Sequence, residues 1–152
     1  MEAIKPGEQA KVFGLKDQKD NLVEMESFKG KRVLLSFHPL AWTSVCAEQM
    51  KSLEANRDEL AKLNTVALGL SVDSVPCKTA WAKDLGIEHT SLLADFWPQG
   101  QVASLYGIFR EKNGFSERAN IIIDESGQVV FVKVYPIREL PDIEEILNFL
   151  RG

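Results

Sequence analysis

The stretch from Leu34 to Met50, LLSFHPLAWTSVCAEQM, limits the fold more than any other part of this chain. It begins inside the apolar run Arg32–Phe37, which suits a strand buried on both faces of a sheet. After a short loop a helix starts near Ser44 and is expected to run to Leu63. Its apolar residues Val45, Met50, Leu53, Leu60 and Leu63 follow a period near 3.6, and Lys51, Glu54, Arg57, Asp58 and Lys62 fill the other face. Strands and helices continue to alternate after it, in the order β-α-β-α-β-α-β-β-α, which gives a mostly parallel α/β sheet.

The joint between strand and helix carries Pro39, Thr43 and Cys46, spaced Pro-x-x-x-Thr-x-x-Cys. A cysteine in the first turn of a helix lies near free backbone N–H groups and the positive end of the helix dipole. Both favour thiolate over thiol. Thr43 stands where its hydroxyl can cap the helix and also point at the sulfur. Each residue also has a plainer reading: Cys46 as a small buried hydrophobe, Thr43 as a cap alone, Pro39 as a strand stop.

The rest of the chain extends the pattern. Lys11–Leu15 and Leu22–Glu24 read as a hairpin around Lys16–Asn21. Thr65–Ser71 is the next strand. Asp73 and Ser74 are candidate caps for a helix with Pro76 in its first turn and a stop at Gly86. A short strand Leu92–Ala94, a short helix Gln101–Tyr106, a hairpin of Ala119–Ile123 with Val129–Tyr135, and a last helix Asp142–Leu150 complete the order. No repeat, low-complexity tract or linker interrupts it, so residues 1–152 are expected to form one domain.

Composition narrows the function classes. A net charge of −4 argues against nucleic acid or an anionic membrane as the main partner. No apolar run approaches the roughly 20 residues that span a bilayer. The N-terminal MEAIKPGEQAKVF has no apolar signal-peptide core, so a cytoplasmic location is expected. The cysteines are Cys46 and Cys77, with no C-x-x-C, which in a reducing compartment leaves room for a transient disulfide rather than a structural one. His38 and His89 are too far from the cysteines in sequence to suggest a zinc set, and His38 is expected to pack quietly. Lysines and glutamates on the helices read as solvated faces.

The Pro39-x-x-x-Thr43-x-x-Cys46 spacing resembles the active-site signature of peroxiredoxins, cysteine-based peroxidases of the thioredoxin fold. Leu15-Lys-Asp-Gln, Phe28-Lys-Gly-Lys, Ser71-Val-Asp-Ser and Arg118-Ala-Asn-Ile-Ile-Ile-Asp124 look like the same family, in family order. The first hairpin departs from it, with Lys11 where many relatives have proline.

The resemblance implies a thioredoxin-like α/β fold with an N-terminal hairpin and a central mixed, mostly parallel sheet. It also implies a thiol peroxidase for hydrogen peroxide or small alkyl hydroperoxides. Cys46 would be the nucleophile that becomes a sulfenic acid. Thr43 would orient the peroxide and Pro39 would shield the sulfur. Arg118 would stabilise the thiolate and the leaving oxygen; on position alone it reads as a surface charge paired with Glu117 or Glu111.

Cys77 falls where some peroxiredoxins place a resolving cysteine. There it would form an intramolecular disulfide with Cys46, to be reduced by a thioredoxin-like protein. The alternatives are a one-cysteine peroxidase resolved by an external thiol, or a redox-sensing thiol-exchange protein. Phe37, Trp42 and Trp81 are candidate pocket walls or interface residues. No metal, haem or flavin is implied, and the family resemblance suggests a homodimer.

Overall fold

The computed structural model describes residues 2–152; position 1 of the expected domain lies outside them. A short antiparallel hairpin comes first, β1 (Gly14–Lys16) with β2 (Leu22–Glu24). The first strand is shorter than the apolar pattern predicts. Its tip is fixed by Asp17 Oδ1, which accepts from the backbone N–H groups of Lys19 at 2.8 Å and Asn21 at 3.0 Å.

The central sheet contains β3 (Arg32–Phe37), β4 (Thr65–Ser71), β5 (Ser91–Ala94), β8 (Arg118–Ile123) and β9 (Val129–Tyr135), in the order β5-β4-β3-β8-β9. Strands β3, β4 and β5 are parallel, β8 is antiparallel to β3, and β9 is antiparallel to β8. A two-stranded ribbon of β6 (Phe109–Arg110) and β7 (Phe115–Ser116) precedes β8 and carries no clear strand pattern in the sequence.

Alternation along β3 explains the two cores. Val33, Leu35 and Phe37 pack with Ile121, Tyr106, Val102 and Phe13 on one side of the sheet. Leu34 points the other way and packs with Ile122 and with residues of three helices. These are α1 (Ser44–Ala55), supplying Met50 and Leu53, α3 (Val75–Leu85), supplying Trp81 and Ala82, and α5 (Ile143–Arg151), supplying Ile146, Leu147 and Leu150. The methionine, leucine and isoleucine side chains among these each contribute roughly 1.5–3 kcal/mol when fully buried. The other side is covered by α4 (Gln101–Leu105) and the N-terminal segment through Ile4.

The long helix expected over Ser44–Leu63 is divided. α1 ends at Ala55 and α2 spans Arg57–Lys62, with Asn56 between them at φ −104° and ψ 15°. The Asn56 side-chain amide donates to Ser52 O at 2.7 Å, a second bond to a carbonyl that already accepts from Asn56 N at 3.2 Å. The hydrophobic period runs through the break, so the pattern alone does not reveal it. Arg32 then ties helix ends to the sheet. Its guanidinium donates to Leu63 O at 2.8 Å and to Leu150 O at 3.0 Å.

Gly69 in β4 lets α1 lie close to the sheet, because a Cβ there would collide with Met50 Sδ. α3 stops where expected, at Gly86 in the left-handed conformation (φ 71°). Ser74 caps that helix by accepting from Cys77 N at 3.3 Å, and Asp142 caps α5 by accepting from Glu144 N at 3.0 Å. No helix among the described residues is long and apolar enough to cross a membrane.

Candidate active site

Cys46 is buried in the first turn of α1, among the core residues between that helix and the sheet. One nitrogen of Arg118 reaches it: Nη1 lies 3.3 Å from Cys46 Sγ and donates to Gln49 Oε1 at 2.7 Å. Arg118 Nε donates to Ile137 O at 2.9 Å, which holds the guanidinium plane from the opposite side. Arg118 is 2% exposed, so it is not the surface charge that its position allows. Glu117 pairs with Arg110 instead, at 3.3 Å.

Among the described residues no carboxylate lies within ion-pair distance of Arg118. A buried cation without a counter-charge is costly. The sulfur is the group beside it that can become an anion.

Gln49, three residues after Cys46 on the same helix face, turns this contact into a network. Its Nε2 donates to Ser36 Oγ at 2.7 Å and to Phe37 O at 3.2 Å. Ser36 Oγ donates to Asn120 Oδ1 at 2.8 Å. β3, α1 and β8 are thus linked through polar side chains, and Arg118 is held in one pose.

The loop between β3 and α1 places the other predicted residues. Pro39 is buried directly after the strand. Thr43 is the N-cap residue by position, with extended backbone, but its side chain makes no capping bond. Its exposed hydroxyl donates to Leu40 O at 2.9 Å. Ala41 N donates to Asp73 Oδ2 at 2.8 Å, and the Ser71 hydroxyl donates to the same oxygen, so Asp73 anchors the loop to the end of β4.

The aromatic candidates separate. Trp81 is 1% exposed and packs in the same core cluster as Cys46. Trp42 is exposed and in the left-handed region at φ 68°. Phe37 does not wall the Cys46 side. It faces the opposite core and meets Tyr106 at a 6.1 Å ring separation, because strand parity puts it on the other face from Ser36 and His38.

Cys77, half-buried in the first turn of α3, packs at the edge of the cluster that holds Cys46, and both thiols are free. Its Sγ lies 3.7 Å from Asp73 Oδ1. Burial pushes the Cys77 thiol up, and the Asp73 charge adds to that; the Trp42 indole pulls the other way.

Sequence reasoning assigns no step to Gln49, expects His38 beside the loop to pack quietly, and does not single out Lys78; the structure brings all three into this region. His38 is fully buried, and its Nε2 lies 3.0 Å from Lys78 Nζ, which is also fully buried. Signals for both exist in the periodicity. His38 alternates with Ser36 and Leu34, and Lys78 lies one turn before the buried Trp81 and Ala82.

The sequence profile of the AhpC/TSA family matches residues 6–132. The chain is 36% identical to alkyl hydroperoxide reductase E of Mycobacterium tuberculosis over 137 residues, covering 90% of this chain and 89% of the relative. It is 32% identical to a putative peroxiredoxin, bcp, of Haemophilus influenzae, covering 100% of this chain and 99% of that one. Among solved structures it is similar to a reduced 2-Cys peroxiredoxin of Plasmodium vivax, with a TM-score of 0.86 and 29% identity over 96% of this chain and 80% of that one.

The thioredoxin-like fold expected from the sequence is therefore present. With a profile match across most of its length and relatives that are peroxidases, the chain belongs to the AhpC/TSA family, the peroxiredoxins.

Proposed function

We propose that Cys46 is the peroxide-reacting nucleophile of this peroxidase, and that hydrogen peroxide and small alkyl hydroperoxides are its substrates. The observation that carries this reading is the 3.3 Å contact between the buried Arg118 guanidinium and Cys46 Sγ at the start of α1. In the proposed step the thiolate attacks one peroxide oxygen. The sulfur gives up two electrons, the O–O bond breaks, and the departing oxygen takes a proton to leave as water or alcohol. The product is Cys46 sulfenic acid. Arg118 stabilises charge on the sulfur and on the departing oxygen. Thr43 orients the peroxide, and Pro39 keeps water from the sulfur.

Cys77 is proposed to resolve the sulfenic acid: its sulfur attacks Cys46 Sγ, the S–O bond breaks, the oxygen leaves as water with the Cys77 proton, and an intramolecular disulfide forms. The support is its place in the neighbouring first helical turn, with the Asp73 carboxylate beside its thiol as a proton acceptor. Disulfide formation needs Cα atoms within about 7 Å, and in the proposed step one or both of the first turns of α1 and α3 unwind to reach it. A thioredoxin-like dithiol protein then reduces the disulfide.

A second reading has an observation of its own. Burial and Asp73 hold Cys77 in its protonated, less nucleophilic form, which favours a one-cysteine cycle resolved by an external thiol. A redox-sensing thiol-exchange role would use the same sulfenic acid as a signal.

The exposed Leu40, Trp42, Phe96 and Trp97 lie after β3 and β5, two parallel strands that end on one side of the sheet. We take this apolar end as the surface of a homodimer, and we place the protein in the cytoplasm.

Mass spectrometry of the reduced protein after one equivalent of hydrogen peroxide, with thiol trapping, separates these readings. Loss of two hydrogens with both thiols blocked means the disulfide cycle. A trapped sulfenic acid on Cys46 with Cys77 free means external resolution. Two unreacted thiols would overturn the assignment of Cys46.

A further inference from the structure

Lys78 is the most deeply buried lysine of the chain and has no ion-pair partner among the described residues. Lysine almost never occurs fully buried unless something compensates its charge. Its ammonium makes one hydrogen bond, to His38 Nε2 at 3.0 Å, and lies 5.6 Å from the centre of the Trp81 ring. His38 also packs on Trp81, with ring centres 5.4 Å apart.

These residues occupy the same side of the sheet as Cys46. Trp81 and Cys46 belong to one core cluster, and His38 follows Ser36 in the strand alternation toward α1 and α3. Because Lys78 Nζ can only donate, the His38 Nε2 facing it accepts, and the imidazole proton sits on Nδ1. That Nδ1 has no partner. Burial and the charges of Lys78 and Arg118 hold His38 well below its ordinary range, so it stays neutral. The pair therefore carries one positive charge, and that charge belongs to Lys78.

We propose that Lys78, held by neutral His38, is a positioning residue whose buried charge acts together with Arg118 to stabilise the anionic form of the Cys46 sulfur.

The proposal rests on the reading of Cys46 as the reacting thiol. The groups whose charge acts on Lys78 come from every neighbouring element: Asp73 after β4, Cys46 on α1, Cys77 on its own helix and Asp95 after β5. Asp73 is already committed to Ala41 N and the Ser71 hydroxyl, and Asp95 to the backbone N–H groups of Val102 and Ala103, each at 3.0 Å. Of the two thiols in this set, Cys46 is the one that reacts with peroxide as an anion, while burial and Asp73 favour the protonated form of Cys77. Burial outweighs the influence of these acidic groups and brings Lys78 down to about 8, so it is charged at neutral pH and loses its proton just above it.

The test is a titration of thiolate absorbance near 240 nm in a C77S background, where Cys46 is the remaining thiol, with and without K78M. Stopped-flow rates with hydrogen peroxide are measured over the same pH range. K78M is expected to move the Cys46 step to higher pH. It should slow the reaction roughly tenfold at pH 6–7, and the two rates should converge above about pH 8, where Lys78 itself is neutral. K78R should keep most of the wild-type behaviour. An unmoved absorbance step, or an equal rate loss at every pH, would overturn the proposal.

A measurement that needs no substitution at Lys78 protects the test against misfolding. The 13Cε resonance of Lys78 reports its titration in the reduced protein and in C46S. Coupling is reciprocal, so C46S must lower the Lys78 midpoint, and an unchanged midpoint refutes the idea. Neither titration uses peroxide, so a failure of the peroxidase assignment would show separately, as the absence of sulfenic acid on Cys46.

Discussion

Arg118 Nη1 touches two residues one turn apart on α1, Cys46 Sγ at 3.3 Å and Gln49 Oε1 at 2.7 Å. The cation is therefore fixed by the same helix that carries the sulfur, and its remaining contact to Ile137 O prevents it from turning away. R118M should slow the first reaction with peroxide about 10²–10³-fold, the scale of losing one donor to developing negative charge. R118K should recover little, since a point charge cannot span the three acceptors. Stopped-flow kinetics with hydrogen peroxide check both.

Gln49 offers a finer test, because its amide ends do different things. Q49L leaves Arg118 without its helix anchor and takes a donor from Ser36 Oγ, so the peroxide rate and the melting temperature should both fall. Q49E puts a carboxylate beside Arg118 that competes with the sulfur for the cation. It should slow the reaction at neutral pH more than Q49L does. Equal rates in the two variants would mean that the guanidinium charge is not the operative feature.

Glu54 makes the acid sensitivity of the fold predictable. Its carboxylate accepts from the backbone N–H groups of Glu88, His89 and Thr90 and from the Thr90 hydroxyl, which closes the loop before β5. These bonds outweigh its burial and bring it from 4.5 to about 2. A carboxylate held low in the folded state adds stability that is fully present above pH 4.5 and is lost as pH falls toward 2. E54Q should lower the melting temperature by roughly 4–8 °C at pH 7. The gap should shrink steadily below pH 4.5 in thermal melts.

The close approach of α1 to β4 is testable at Gly69. G69A pushes a methyl group into Met50 Sδ and should cost roughly 1–3 kcal/mol by overpacking. M50A should cost less in the G69A background than alone, because the two side chains share one space. Denaturant melts of the single and double variants give the coupling directly.

Much of this site is legible in the sequence because it lies on one continuous piece of chain. Leu34 to Met50 determines a buried strand, a loop and a helix start, and that places Cys46 without knowledge of the rest. Arg118 is different: its position before an apolar strand is visible, but its contact with Cys46 depends on β8 pairing beside β3. Lys78 looks like part of a solvated helix face in CKTAWAKDL, yet the face that carries Trp81 and Ala82 turns it into the core. Phe37 reads as a candidate pocket wall in the sequence, and the two-residue period of the strand sends it to the opposite core. The break at Asn56 escapes for another reason. The backbone leaves the helical conformation at Asn56 (φ −104°, ψ 15°) while the hydrophobic pattern continues through it.

The measurement closest to the central claim is peroxide consumption by the reduced wild-type protein, C46S and C77S, each with excess dithiothreitol. The wild type and C77S should consume hydrogen peroxide catalytically, since the added dithiol can resolve a sulfenic acid on Cys46 directly. C46S should consume it no faster than dithiothreitol alone. A C46S protein that keeps the wild-type rate would contradict the assignment of Cys46 and the role given to Arg118 beside it.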